Sequence, residues 1–178
     1  QSVLPGEVII GDDGSTSETR ELIERVSKDF PVPLIHVWQP DDGFRLAAIR
    51  NKTFARASGN YIIQSDGDII FHQHFIKDHL QFSKKGSFVL GSRCLLNKNI
   101  SHQIIANKKK ASINEILQNS SKKHNGIRFI SAAYINYCLQ NGVRLIKYVL
   151  GANMAFWRDD IVAVNGYNET FTGWGKED

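Results

Sequence analysis

Residues 1–90 alternate short apolar runs with amphipathic segments, and that alternation restricts the chain to an α/β layer fold. Glu7-Val8-Ile9-Ile10 is apolar and β-branched, and Gly11-Asp12-Asp13-Gly14 ends it, the pattern of a buried strand entering a turn. Ser15 and Glu18 have capping-box spacing, which predicts a helix starting near Thr16. Leu22, Ile23, Val26 and Phe30 recur at helical spacing until Pro31 and Pro33 stop the helix, and Leu34–Trp38 reads as the next strand. A strand, helix and strand of these lengths fit a parallel βαβ unit with a right-handed crossover.

The pattern repeats. Leu46, Ile49, Phe54 and Ala57 mark a second helix closed by Gly59, and Tyr61–Gln64 is a strand running into Ser65-Asp66-Gly67-Asp68. Phe75, Ile76 and Leu80 mark a third helix, and Phe88–Leu90 a further strand. From Leu95 to Gly126 the chain turns polar and loses its period, which reads as an insertion or a mobile region. Residues 127–148 regain apolar character without a clean period, and Gly151–Asp178 is rich in Gly, Asn and aromatics around an amphipathic stretch at Trp157–Val164. A chain of 178 residues buries a sizeable core as one domain.

Several function classes lose support at this point. The net charge is only +4, and Lys108-Lys109-Lys110 and Lys122-Lys123 lie in polar sequence, as solvated loops do. No basic stripe is interleaved with aromatics, so nucleic-acid binding is not expected. Cys94 and Cys138 lack metal-type spacing and read as reduced, small packing residues. No apolar run approaches the ~18 residues of a membrane span, and no signal-peptide pattern opens the chain. The chain therefore reads as cytoplasmic, with peripheral association at the inner face of a membrane left open.

Ligands of parallel sheets bind beyond the carboxyl ends of the strands. Two acidic clusters fall at such ends, Asp12-Asp13 and Asp66/Asp68, and a cation is the usual reason to tolerate neighbouring carboxylates. Asp66-Gly67-Asp68 has the form D-x-D, whose hard oxygens suit Mn²⁺ or Mg²⁺. The competing reading is an Asp-Gly hairpin turn between Tyr61–Gln64 and Ile69–Phe71. Arg45 and Arg50, near the start of the second helix, reach either phosphate or the acidic clusters, or are surface arginines. His72 and His74 read as helix-start residues rather than ligands. Trp174-Gly175-Lys176-Glu177-Asp178 joins a sugar-stacking aromatic to two carboxylates, unless it is only a frayed acidic end.

Taken together, I-I-G-D-D-G-S-T, D-G-F-R-L-A-A-I-R-N and Y-I-I-Q-S-D-G-D resemble the inverting glycosyltransferases of family 2. The ending, from G-A-N-M-A-F-W to F-T-G-W-G-K-E-D, resembles the galactosyltransferase-like module of bacterial chondroitin-type polymerases and β-1,4-galactosyltransferases. The resemblance implies a Rossmann-like GT-A fold, with a mostly parallel central sheet flanked by helices. It implies transfer of a hexose or N-acetylhexosamine from a UDP-sugar donor to a glycan or glycolipid acceptor, with Mn²⁺ or Mg²⁺ as cofactor. Under it one aspartate of the first pair, Asp13 before Asp12, contacts the uracil or ribose. Asp68 binds the metal directly, and Asp66 holds the ribose or a metal-bound water. Arg50 lies along the donor site, and Trp174 belongs to a loop closing over donor and acceptor. Glu177 orients the acceptor hydroxyl and Asp178 is the general base.

Family members begin with a strand carrying a T-Y-N-like segment and continue past the E-D pair to a downstream His that often completes the metal site. The 178 residues are thus expected to be an internal fragment of a single GT-A domain, without the first strand–helix unit, the C-terminal end and one metal ligand. A sugar nucleotidyltransferase and a non-catalytic carbohydrate or nucleotide-sugar-binding module are the competing classes.

Overall fold

The computed structural model describes residues 1–107, 112–139 and 151–173. The chain divides into two compact units, one from Gln1–Leu90 with Tyr148–Asp178 and one from Gly91–Lys147.

The first unit opens with β1 (Val8–Asp13), α1 (Ser17–Ser27) and β2 (Leu34–Gln39). β1 and β2 pair in parallel, Val8 opposite Leu34 through Asp13 opposite Gln39, as the βαβ pattern predicts. The Ser15–Glu18 capping box does not form, because Ser15 N donates to Asp12 Oδ1 (2.9 Å) and Thr16 becomes the N-cap. Helix α2 (Leu46–Arg56) then packs on β1, with Ala47, Ala48 and Ile49 buried. Gly11 lies inside β1, not in the turn after it. A Cβ there would come within 2.8 Å of Thr53 Cγ2 and 3.2 Å of Ile49 Cγ1, so the glycine permits the close approach of the helix.

β3 (Tyr61–Ser65), α3 (Phe75–Gln81) and β4 (Val89–Leu90) follow. A strand from much later in the chain, β7 (Asn153–Trp157), completes this sheet. It enters between β3 and β4 and runs antiparallel to both, Tyr61 facing Trp157 and Val89 facing Ala155. Helix α7 (Arg158–Ala163) continues directly from it.

The expectation of a mostly parallel central sheet is therefore wrong. The sheets are mixed and mostly antiparallel, and β1–β2 is the one parallel ladder among the described residues. Local apolar period reports that a segment is a strand, not which strand it joins or in which direction. Here the β3 and β4 segments are joined by a strand that arrives about 90 residues after the first and about 65 after the second. That strand was not recognised, since Met154, Ala155 and Phe156 are all buried and no alternation marks them. Phe156 meets Phe54 of α2 edge-on at 5.4 Å, which ties the antiparallel sheet to the helix.

In the second unit, β5 (Leu95–Leu96) and β6 (Ser120–Ser121) pair antiparallel. Helices α4 (Lys98–Asn107), α5 (Ile113–Gln118) and α6 (Ile130–Leu139) make up most of the rest. The polar stretch from Leu95 thus carries short capped elements: Ser112 and Glu115 form a reciprocal capping box on α5. Lys122 and Lys123 are exposed, as expected of a solvated loop, whereas Lys108–Lys110 lie outside the described residues. Cys138, read as a packing residue, is exposed, and Cys94 is half-buried; both are free thiols. Among the described residues no helix is long and apolar enough to cross a membrane.

Candidate active site

The turn after β1 is built by its two aspartates. Asp12 is buried at 6% exposure, with Oδ1 accepting from Ser15 N and Oδ2 lying 2.9 Å from His36 Nε2 on β2. Burial pushes the Asp12 carboxyl up, but the hydrogen bonds from Ser15 and the contact with His36 outweigh it and hold the group below its ordinary 3.8. Asp13 accepts from Gln39 Nε2 and, at 2.7 Å, from Arg45 N, the N-cap residue of α2. A carboxylate there meets the positive end of the helix dipole. Gly14 has φ +95°, and a Cβ on it would fall 2.5 Å from Asp41 Cα, so only glycine fits between the two loops.

Five residues along α2, Arg50 is 7% exposed, an uncommon place for a guanidinium. Its Nη2 lies 3.8 Å from Asp66 Oδ1, and its Cζ sits 5.2 Å from the centroid of the Tyr167 ring. One helix thus reaches both acidic clusters, Asp13 through its first turn and Asp66 through Arg50. The reading of Arg50 as a surface residue fails. Arg45 pairs with Asp42 in the same turn (2.9 Å).

Asp66 follows β3 directly, its N–H donating to Ala152 O and its side chain 41% exposed. Residues 69–71 form no strand, so Asp66-Gly67-Asp68 is not the tip of a hairpin. Asp68 is exposed. Beneath the motif, buried Gln64 donates through Nε2 to Gly151 O (2.7 Å) and accepts at Oε1 from Tyr167 Oη (3.1 Å). His74 is the N-cap of α3, 2.8 Å from Ser2 Oγ through Nδ1, and its N–H donates to His72 Nδ1, which agrees with a helix-start role. Buried His79 donates through Nε2 to Asn153 Oδ1 (2.8 Å), and burial holds its imidazole below the ordinary 6.5 despite that bond and the nearby Asp78.

Among the described residues no group of three or more His, Cys, Asp or Glu side chains is gathered to hold a metal ion. Asp66 and Asp68 nevertheless have the chemistry of a partial shell for Mn²⁺ or Mg²⁺, ions that take few carboxylates and leave positions for water and phosphate. Arg50 beside Asp66 partly compensates that carboxylate, whereas Asp68 is exposed. Trp174, Glu177 and Asp178 lie outside the described residues.

Sequence reasoning passed over His36, Gln39, Asn51, Gln64 and Tyr167, the residues that hold the acidic clusters in place. A signal existed for two of them. Gln64 interrupts an apolar strand, and Asn51 sits inside a helix, where an amide side chain is a poor former unless it has work elsewhere.

Residues 1–136 match the family described as glycosyl transferase family 2, and residues 143–178 match the one described as N-terminal domain of galactosyltransferase. The chain is similar to a chondroitin synthase of Escherichia coli, 24% identical over 191 residues that cover 100% of this chain and 27% of that protein. It is also similar to uncharacterized glycosyltransferases of Rickettsia bellii and Rickettsia felis. These are 32% and 34% identical over 83 residues, covering 47% of this chain and 11% and 13% of theirs. The chain spans about a quarter or less of the length of these curated relatives.

Proposed function

Because this chain belongs to glycosyl transferase family 2, and is by that membership a glycosyltransferase, we propose that it carries the donor site of an inverting, divalent-metal-dependent hexosyltransferase. The donor is a UDP-hexose or UDP-N-acetylhexosamine and the acceptor a glycan or glycolipid. The observation that carries this reading is the placement of Asp66-Gly67-Asp68. The motif lies at the carboxyl end of β3, with Asp66 beside the buried Arg50 and Asp68 exposed.

The nucleoside contact falls to Asp13, since Asp12 is buried and turned to His36. Asp68 would hold the cation. Arg50 keeps Asp66 in place from within the protein and adds positive potential where a diphosphate would lie. A bound Mn²⁺ or Mg²⁺ would offset the charge that builds on the departing diphosphate. The family likeness assigns Trp174 to a loop closing over donor and acceptor and gives Glu177 the acceptor hydroxyl to orient. Asp178 takes that hydroxyl's proton as its oxygen bonds to the anomeric carbon. The bond from that carbon to UDP breaks on the opposite face, the electron pair leaves with UDP, and the configuration inverts.

The test is product stereochemistry. The full-length protein, given Mn²⁺ and a panel of UDP-sugars with oligosaccharide acceptors, is expected to release UDP and form a glycoside of inverted anomeric configuration. Retention of configuration, or a nucleotide-sugar made from sugar phosphate and UTP, would sink the proposal.

A further inference from the structure

We infer that Asn51 is a positioning residue for this reaction, an amide clamp that fixes the loop after α7 to the helix that carries Arg50. The inference rests on the glycosyltransferase reading, because the loop it fixes meets Gln64 and Arg50, which flank the Asp66 motif.

Three hydrogen bonds make the clamp. Asn51 Nδ2 donates to Tyr167 O (2.8 Å) and to Glu169 Oε1 (2.9 Å), and Asn51 Oδ1 accepts from Tyr167 N (2.8 Å). Both backbone groups of one residue are thus read by one side-chain amide, a two-point contact that sets orientation as well as distance. The loop is shaped to present them. Helix α7 ends in a Schellman motif: Gly166 N donates to Ile161 O (2.9 Å) and Asn165 N to Val162 O (3.0 Å), with Asn165 left-handed at φ 63°. Gly166 follows at φ +70°, and a Cβ on it would lie 2.5 Å from Asn51 Oδ1. The glycine is therefore required twice, by its φ and by the amide that fills the space where a side chain would project.

The clamp joins two parts of the site. Tyr167, held through its backbone by Asn51, sends its hydroxyl to Gln64 Oε1, two residues before Asp66, and lies under the Arg50 guanidinium. Asn51 and Arg50 are neighbours on α2, so the helix holds the D-x-D strand with one residue and the 165–170 loop with the next. Tilting the loop by an ångström would draw Tyr167 off Gln64 Oε1 and out from under Arg50, beside the Asp66 motif, and misplacement of that order at a reacting site costs about 100-fold in rate.

The experiment uses the full-length protein with Asn51→Ala and the isosteric Asn51→Asp, which keeps acceptance from Tyr167 N but loses donation to Tyr167 O and to Glu169 Oε1. Three quantities are read: kcat with saturating donor, the affinity for UDP with Mn²⁺, and hydrogen exchange at the Tyr167 amide. For Asn51→Ala we expect kcat to fall by about 100-fold, UDP affinity to stay within about twofold, and Tyr167 exchange to accelerate. Asn51→Asp is expected to keep the Tyr167 amide protected and to recover part of kcat. Unchanged kcat alongside faster exchange would overturn the positioning role, and unchanged exchange would overturn the clamp itself. If the wild-type protein transferred no sugar, the functional reading would fall, while the exchange result would still decide whether the clamp exists.

Discussion

The guanidinium of Arg50 lies 3.8 Å from Asp66 and 5.2 Å from the ring of Tyr167, so one buried cation faces the acidic motif on one side and the loop after α7 on the other. Removing it leaves Asp66 without its internal counter-charge and opens space under Tyr167. Arg50→Ala is expected to lower unfolding stability by about 2–4 kcal/mol. Arg50→Lys, which keeps the charge but not the planar stack, is expected to lose less. Urea unfolding of the three proteins measures the order, and equal stability for all would show that the pair contributes nothing.

Gly14 is the tightest point of the turn after β1. Gly14→Ala forces a Cβ to within 2.5 Å of Asp41 Cα at a φ of +95°. The expected loss is about 2–4 kcal/mol. It should come with weaker UDP binding, since the same turn sets Asp13. A midpoint shifted by less than a degree in thermal unfolding would contradict the geometry.

The strand β7 is the centre of the antiparallel sheet, and Phe156 is its largest buried side chain, at 5% exposure. Phe156→Ala is expected to cost about 3–5 kcal/mol through lost burial and the cavity left beside Phe54. Phe156→Leu should cost less than half of that. Chemical denaturation with unchanged m-values would check both.

Stability should fall with acid in two separate windows. His79 has a depressed pKa in the folded state, so the unfolded chain takes up a proton first as pH drops below 6.5. Its stability contribution is full above 6.5, declines between 6.5 and the lower folded value, and is flat beneath that. Asp12 is also depressed, so its contribution holds above 3.8 and is lost as pH falls through its folded pKa. His79→Gln should flatten the first window and leave the second. Unfolding free energies between pH 7 and 3 test this, and an unchanged slope below 6.5 in His79→Gln would contradict it.

The legible parts of this fold were those with a local cause. β1, β2, α2 and β3 announce themselves through apolar runs and period, and the acidic clusters at strand ends through their composition. Strand direction is non-local. The Asn153–Trp157 segment pairs with residues about 90 positions earlier, and no pattern inside either segment records that, which is why a mostly parallel sheet was expected and an antiparallel one is found. The site divides in the same way. Asp66, Asp68 and Arg50 stand out as charges near strand ends, whereas Asn51, Gln64 and Tyr167 acquire meaning only when α2, β3 and the loop after α7 meet.

The central claim is that Asp68 holds a divalent cation for a UDP-sugar. Calorimetric titration of UDP into the full-length protein, with and without Mn²⁺, tests it in wild type and in Asp68→Ala. The account predicts binding that requires Mn²⁺ in the wild type and falls by at least about tenfold, some 1.4 kcal/mol, in Asp68→Ala. UDP binding of equal strength without the metal, or unchanged by Asp68→Ala, would contradict it.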